Sequence, residues 1–201
     1  HAGRRDAQVH HKGLGRFGAR LPKGQVVFIR AALVAVALDG DLDEIELLQD
    51  LRVAVEGLAI AALSVGAREA MIGVRAEYSD AIRSLEAIIT TAEREGVLGA
   101  NVLGSGRELT VRVVPLQGSS MIGEETVLLK ALAGKRGQPE QTPPYPSEVG
   151  YLGKPTAVNN VATLAAVSWI LTNGAAAFKQ IGDPAQPGTV LVQVSGSITN
   201  S

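Results

Sequence analysis

No cysteine occurs among the 201 residues. Disulfides, thiolate catalysis and cysteine-held iron–sulfur clusters are therefore excluded within this stretch of chain. Histidine is confined to His1, His10 and His11, which read as part of a frayed terminus rather than as a metal pair. Aromatic residues make up 3%, so the core must be built from aliphatic side chains and alanine. Neither sign of charge dominates, and the formal net charge is −1. No nucleic-acid partner is expected, because such a partner calls for a basic surface that displaces counterions. Electrostatic attachment to an anionic membrane has no support either. No apolar run approaches the roughly twenty residues of a membrane span, so direct membrane insertion is not expected. The most apolar stretch, 26–37, is interrupted by Arg30. No signal-peptide pattern is visible. The chain begins at His1 and stops after Thr199-Asn200-Ser201, and both ends read as cut from a longer protein.

Hydrophobic residues are 46% and charged residues 19%, enough to build a folded core. Residues 1–25 are basic, glycine-rich and poor in aliphatics, the composition of a loop. An apolar run at 33–37 predicts a buried strand ending in the acidic loop around Asp39 and Asp41. Leu48, Leu51, Val55, Leu58, Ala62 and Val65 recur at spacings of three and four, which predicts a helix stopped by Gly66. A strand is expected at 70–74. A helix should follow at 79–95, carrying Ile82, Leu85, Ile89 and Ala92 on one side and stopped by Gly96. Another strand is expected at 109–114, then a helix over 123–132 with Gly134 as its stop. The proline- and glycine-rich segment 135–155 predicts an irregular surface loop. Asn159 or Asn160 is suited to cap the next helix, with Val161, Leu164, Ser168 and Leu171 on one face. A short helix near Phe178 and a strand at 189–194 complete the pattern. Alternating strands and helices give an α/β fold with a parallel sheet. Ligands bind such sheets at the carboxyl ends of the strands, which singles out the loops at 38–44, 117–125 and 145–160.

Four segments carry candidate chemistry. Gly13-Leu14-Gly15-Arg16-Phe17-Gly18 matches the spacing of a dinucleotide fingerprint, but no strand precedes it and Pro22 follows closely, so a glycine loop is the plainer reading. Gly123-Glu124-Glu125 places two carboxylates at a helix start. They serve the helix dipole or border a flat ligand that the glycine lets approach. Asn159, Asn160 and Thr163 stand at a second helix start, as an ordinary cap or as a phosphate cradle. Tyr145, set between prolines, either covers the protein surface or stacks on a nucleotide ring.

Taken in order, Gly123-Glu124-Glu125-Thr126, Gly134-Lys135-Arg136-Gly137-Gln138-Pro139, Pro143-Pro144-Tyr145-Pro146, Gly153-Lys154-Pro155-Thr156 and Val158-Asn159-Asn160-Val161 resemble one family. It is the FMN- and NADH-binding flavin subunit of respiratory complex I, with the related diaphorase subunits of NAD-linked formate dehydrogenases and hydrogenases. Upstream, Glu56-Gly57-Leu58-Ala59-Ile60, Val74-Arg75-Ala76-Glu77-Tyr78 and Gly104-Ser105-Gly106 continue the likeness, which covers roughly residues 33–197. The resemblance implies a Rossmann-like FMN-binding α/β domain over 33–184, preceded by an altered glycine-rich segment at 1–32. At 185–201 it implies the first strand of a ubiquitin-like (SLBB) domain. It implies the cofactors FMN and NAD(H), and hydride transfer from NADH to FMN with onward electron transfer to iron–sulfur centres. Gly123, Glu124 and Glu125 would border the flavin and nicotinamide, the two glutamates at the reacting end. Val158, Asn159, Asn160 and Thr163 would hold FMN, with Gly15, Asp39 and Asp41 in the family's glycine and acidic loops. Tyr145 would stack on the adenine. The implied partner is an iron–sulfur subunit of a larger complex. The implied place is the cytoplasm, peripheral on the inner face of a membrane complex.

Departures accompany the likeness. The family's loop GRGGAGFP reads here Gly15-Arg16-Phe17-Gly18-Ala19-Arg20-Leu21-Pro22, so Phe17 and Arg20 replace glycines. The acidic loop carries Val36 and Leu38 in place of polar residues, and Ser120 stands where the family has tyrosine. The other reading from the same residues is a truncated, non-catalytic remnant or assembly module that keeps the fold.

Overall fold

The computed structural model describes residues 26–30, 44–117 and 120–189. Four parallel strands form one sheet in the order β3-β2-β1-β4: β1 Val26–Arg30, β2 Glu69–Arg75, β3 Thr110–Leu116 and β4 Thr156–Asn160. The register aligns Val26 with Glu69 and Thr156 at the amino ends, and Arg30 with Gly73 and Asn160 toward the carboxyl ends. β1 thus lies inside the sheet, ahead of residue 33, the expected start of the domain. The strand expected at 33–37 lies outside the described residues, as does most of the one expected at 189–194.

Helix α1, Glu44–Val65, follows β1, and α2, Ser79–Arg94, follows β2. Both end as their glycines foretell: Gly66 and Gly96 take φ of 74° and 72°, the left-handed turn that closes a helix. Together they cover one face of the sheet. Leu51, Val55, Leu58 and Ala62 of α1 and Ala81, Leu85 and Ile89 of α2 join Ala70, Ile72 and Val74 of β2 in the main core. The alternation within β2 sends Met71 to the opposite face. There it meets Leu129 of α3, Glu125–Leu132, with Val114, Tyr151 and Val158 packed around the pair. Gly73 occupies that second face as well: a Cβ there would stand 2.8 Å from Leu116 Cδ1 and 3.0 Å from Leu128 Cδ1. The missing side chain lets α3 lie close to the sheet at its carboxyl end.

Helix α4, Val161–Asn173, packs along α1. A Cβ on Gly57 would fall 1.9 Å from the Leu164 carbonyl oxygen, so the two backbones touch where no side chain fits. Leu164 and Ser168 are buried as the spacing of α4 predicts, but Leu171 is 65% exposed. Its expected place on the same face is corrected: α4 turns that residue away from α1. A four-residue helix, α5 Ala175–Phe178, and a two-stranded hairpin, β5 Gly182–Asp183 with β6 Gln186–Pro187, follow. Trp169 and Phe178 bring their rings to 5.9 Å. Among the described residues no helix is long and apolar enough to cross a membrane.

Candidate functional site

β1 leads to β2 on one side, whereas the chain leaving β3 crosses to β4 on the other side of β1. The strand order therefore reverses between β1 and β4, and it is at the carboxyl edge of such a reversal that open parallel sheets take their ligands. Arg30 and Asn160 are register partners at that point. Local patterning does not reveal β4. By pattern alone Thr156–Asn160 is the approach to a helix, and its asparagines are cap signals. It is a strand because β1 offers it a parallel edge, which no neighbouring residue announces. Consequently the 145–160 segment does not all reach the carboxyl edge. Thr156 N–H donates to the Pro146 carbonyl at 2.8 Å, which places Tyr145 beside the amino end of β4 and leaves Asn160 at the ligand-facing end.

Asn160 caps α4: its backbone is extended, φ −79° and ψ 141°, and its side-chain oxygen accepts from Ala162 N–H at 2.8 Å. Asn159 is half-buried, and Thr163 is exposed one turn further on. Val158 points its side chain into the core against the Met71–Leu129 pair, so only its backbone is available to a ligand.

At the other opening, Gly123 is buried and Glu124 is the N-cap of α3. One Glu124 carboxylate oxygen, Oε2, accepts from Val127 N–H at 2.9 Å and from the Thr126 hydroxyl at 2.5 Å. Glu125 is exposed in the first turn and makes no hydrogen bond or ion pair with another described residue. The two acids, equivalent in the linear motif, thus have different roles. Replacing Glu124 by alanine should lower stability by about 1 kcal/mol through the lost cap. Replacing Glu125 should shift it by no more than roughly 0.5 kcal/mol. Thermal melts of both variants check this, and equal losses would remove the distinction.

α3 and α4 both open at the carboxyl edge, on opposite faces of the sheet. β2 ends there too, in Arg75, which pairs with Glu77 and lies over the Tyr78 ring at 5.4 Å. Along α3 runs a cavity of about 500 Å3, bounded by Thr126, Lys130, Glu140, Pro144, Tyr151 and Leu152. Tyr145, on the loop beside it, is 54% exposed, and its backbone N–H donates to Glu148 Oε2 at 3.0 Å. Two consecutive cis bonds, Thr142–Pro143 and Pro143–Pro144, precede it. Gly15, Asp39 and Asp41 lie outside the described residues. The linear motif does not single out Thr126; its position two residues after an N-cap acid is the available signal.

A family model described as the Nuo51 FMN-binding domain matches residues 42–169. An NADH-quinone oxidoreductase subunit of Rhizobium meliloti (strain 1021) is 41% identical over 156 residues, 78% of this chain and 37% of that protein. The HndC subunit of the NADP-reducing hydrogenase of Solidesulfovibrio fructosivorans is 37% identical over 203 residues, 96% of this chain and 41% of that protein. Among solved structures, an NAD+-reducing NiFe hydrogenase in the H2-reduced state superposes with a TM-score of 0.65 at 34% identity, covering 82% of this chain and 27% of that one. The chain thus spans about two fifths of the length of the curated relatives it matches.

Proposed function

This chain belongs to the Nuo51 FMN-binding domain family, and we propose that it holds FMN at the carboxyl edge of its sheet and there oxidises NADH as one module of a larger assembly. The observation that carries this reading is the opening of α4 at the switch point. A thirteen-residue helix points its first-turn N–H groups there, with Asn160 at the cap and Thr163 exposed beside it, the makings of an anion site. These groups suit a phosphate monoester: amide and hydroxyl donors, the positive end of a helix dipole, and no acidic residue in the first turn. In this reading Asn159, Asn160, Thr163 and the Val158 backbone hold FMN. Gly15, Asp39 and Asp41 are further assigned to the flavin and nucleotide loops.

Bound FMN supplies the chemistry, accepting a hydride's two electrons and passing them on one at a time. The chain orients the partners. In this reading Gly123, Glu124 and Glu125 border the flavin and the nicotinamide. Tyr145 stacks on the adenine. β4, with five residues at about 3.3 Å each, sets roughly 13 Å between its Asn160 and Thr156 ends. In this reading the electrons would pass to an iron–sulfur partner subunit, and residues 185–201 are assigned to the start of a ubiquitin-like domain.

Titration of the purified chain with FMN tests the reading. Flavin fluorescence should quench at one FMN per chain, and NADH should then bleach the bound flavin's absorbance. No quenching would favour the other reading, a remnant that keeps the fold without the cofactor; Phe17 and Arg20 in place of two glycines favour that outcome.

A further inference from the structure

The first turn of α3 and the loop bearing Tyr145 are joined through one hydroxyl. Thr126 is 7% exposed. Its Oγ1 donates to Glu124 Oε2 at 2.5 Å and accepts the backbone N–H of Glu140 at 2.9 Å. A hydroxyl has one proton to give and lone pairs to receive, so both bonds form together with their directions set. One turn along, Lys130 Nζ reaches Glu140 Oε1 at 2.7 Å, and the Lys130 side chain is only 15% exposed. Glu140 is therefore held to α3 twice, through its backbone by Thr126 and through its carboxylate by Lys130. Five residues later the same loop presents Tyr145.

On the other side, the Thr126 hydroxyl and Val127 N–H converge on a single oxygen of Glu124. Two donors on one carboxylate oxygen fix the plane of the group and with it the direction of Oε1. A cap needs only the Val127 bond. The second bond adds orientation, and its donor is the atom that anchors the loop.

We propose that Thr126 is a positioning residue that couples the Tyr145 loop to the Glu124 carboxylate, so that the two ends of a bound NADH are sensed together. This rests on the proposed function, in which Tyr145 meets the adenine and Glu124 the nicotinamide. Thr126 touches neither ligand; it acts through both neighbours. Seating the adenine against the loop settles Glu140 on the hydroxyl, which holds Glu124 in one orientation. Loss of the hydroxyl leaves the Glu140 N–H without its acceptor and removes one of the two donors that fix Glu124 Oε2.

The test is a double-substitution cycle on NADH affinity, measured by calorimetry on the full chain. Tyr145→Ala, Glu124→Gln and the pair are each made in the parent chain, in Thr126→Val and in Thr126→Ser. With Thr126 present, the paired substitution should depart from the product of the single effects by roughly fivefold, the size expected for residues in one hydrogen-bond network. In Thr126→Val the effects should multiply independently, and in Thr126→Ser, which keeps the hydroxyl, the departure should return. A purely structural role for Thr126 would lower affinity in Thr126→Val and leave the fivefold departure in place, which overturns the coupling while the proposed function stands. Single substitutions that leave NADH affinity unchanged in the parent chain would overturn the proposed function, and the coupling with it. FMN retention and melting temperature, followed in parallel, identify a Thr126→Val chain that has lost its fold; Thr126→Ser then decides, since absence of the fivefold departure in that folded variant also overturns the coupling.

Discussion

Replacing Gly57 by alanine is expected to lower the melting temperature on the order of 10 °C, the drop given by about 3 kcal/mol in a domain of this size. A glycine inside a helix costs about 1 kcal/mol relative to alanine, so by helix propensity the substitution should stabilise α1. The sign reverses because the added methyl would stand 1.9 Å from the Leu164 carbonyl oxygen of α4. That obstacle is backbone, and it cannot rotate aside as a side chain does. α4 must be pushed off α1, and Leu164, 2% exposed, then loses contacts in the main core. Because Asn160 caps α4, the shift also reaches the proposed phosphate site, so FMN binding should weaken together with stability. Circular dichroism melts check the first effect and fluorescence titration the second. A melting temperature within about 2 °C of the parent, well below the drop expected for a core clash, would mean that α1 and α4 do not meet at Gly57.

The second large effect is expected at that phosphate site. Hydrogen bonds to a charged group are worth about 1.5–3 kcal/mol each. Removing Asn160 and Thr163 together as alanines should therefore raise the FMN dissociation constant by roughly a hundredfold or more. That result alone would be ambiguous, since Asn160 also caps α4 and its loss costs about 1 kcal/mol of helix stability. Asn160→Asp separates the two contributions. Aspartate is as good a cap as asparagine and favours the helix dipole, so the melting temperature should hold or rise. Its negative charge would face the phosphate, so FMN binding should fall at least as far as with Asn160→Ala. Undiminished FMN affinity in the aspartate variant would place the phosphate elsewhere.

The stability and ligand effects diverge because the chain uses the same residues for both, and the two uses differ in how far they can be read from local pattern. Glu124 shows this within one motif. Acidic residues before an apolar run signal a helix start, and α3 does start there. Which of Glu124 and Glu125 caps, and what holds the capping carboxylate in place, depends on Thr126 and on the backbone N–H of Glu140, fourteen residues beyond Thr126. Tyr145 shows it across a loop: the proline-rich sequence announces a stiff turn, but β4 decides at which end of the sheet that turn lies.

Local signals are enough for the helices and two of the strands. Three- and four-residue periodicity outlines α1, α2 and α4, the left-handed glycines Gly66, Gly96 and Gly134 end three helices where expected, and β2 and β3 stand out as short apolar runs. These features depend on bonds and contacts spanning a few residues, so the information lies side by side in the chain. The strand β4, the position of β1 inside the order, the exposure of Leu171 and the meaning of Gly57 depend on partners tens to more than a hundred residues away. A five-residue strand has no hydrogen bonds of its own to satisfy it, and a glycine in a helix reveals nothing about the neighbour it admits. Only the assembled sheet brings Asn160 beside Arg30 and α4 onto α1, and so sets a helix opening at the point where the strand order reverses.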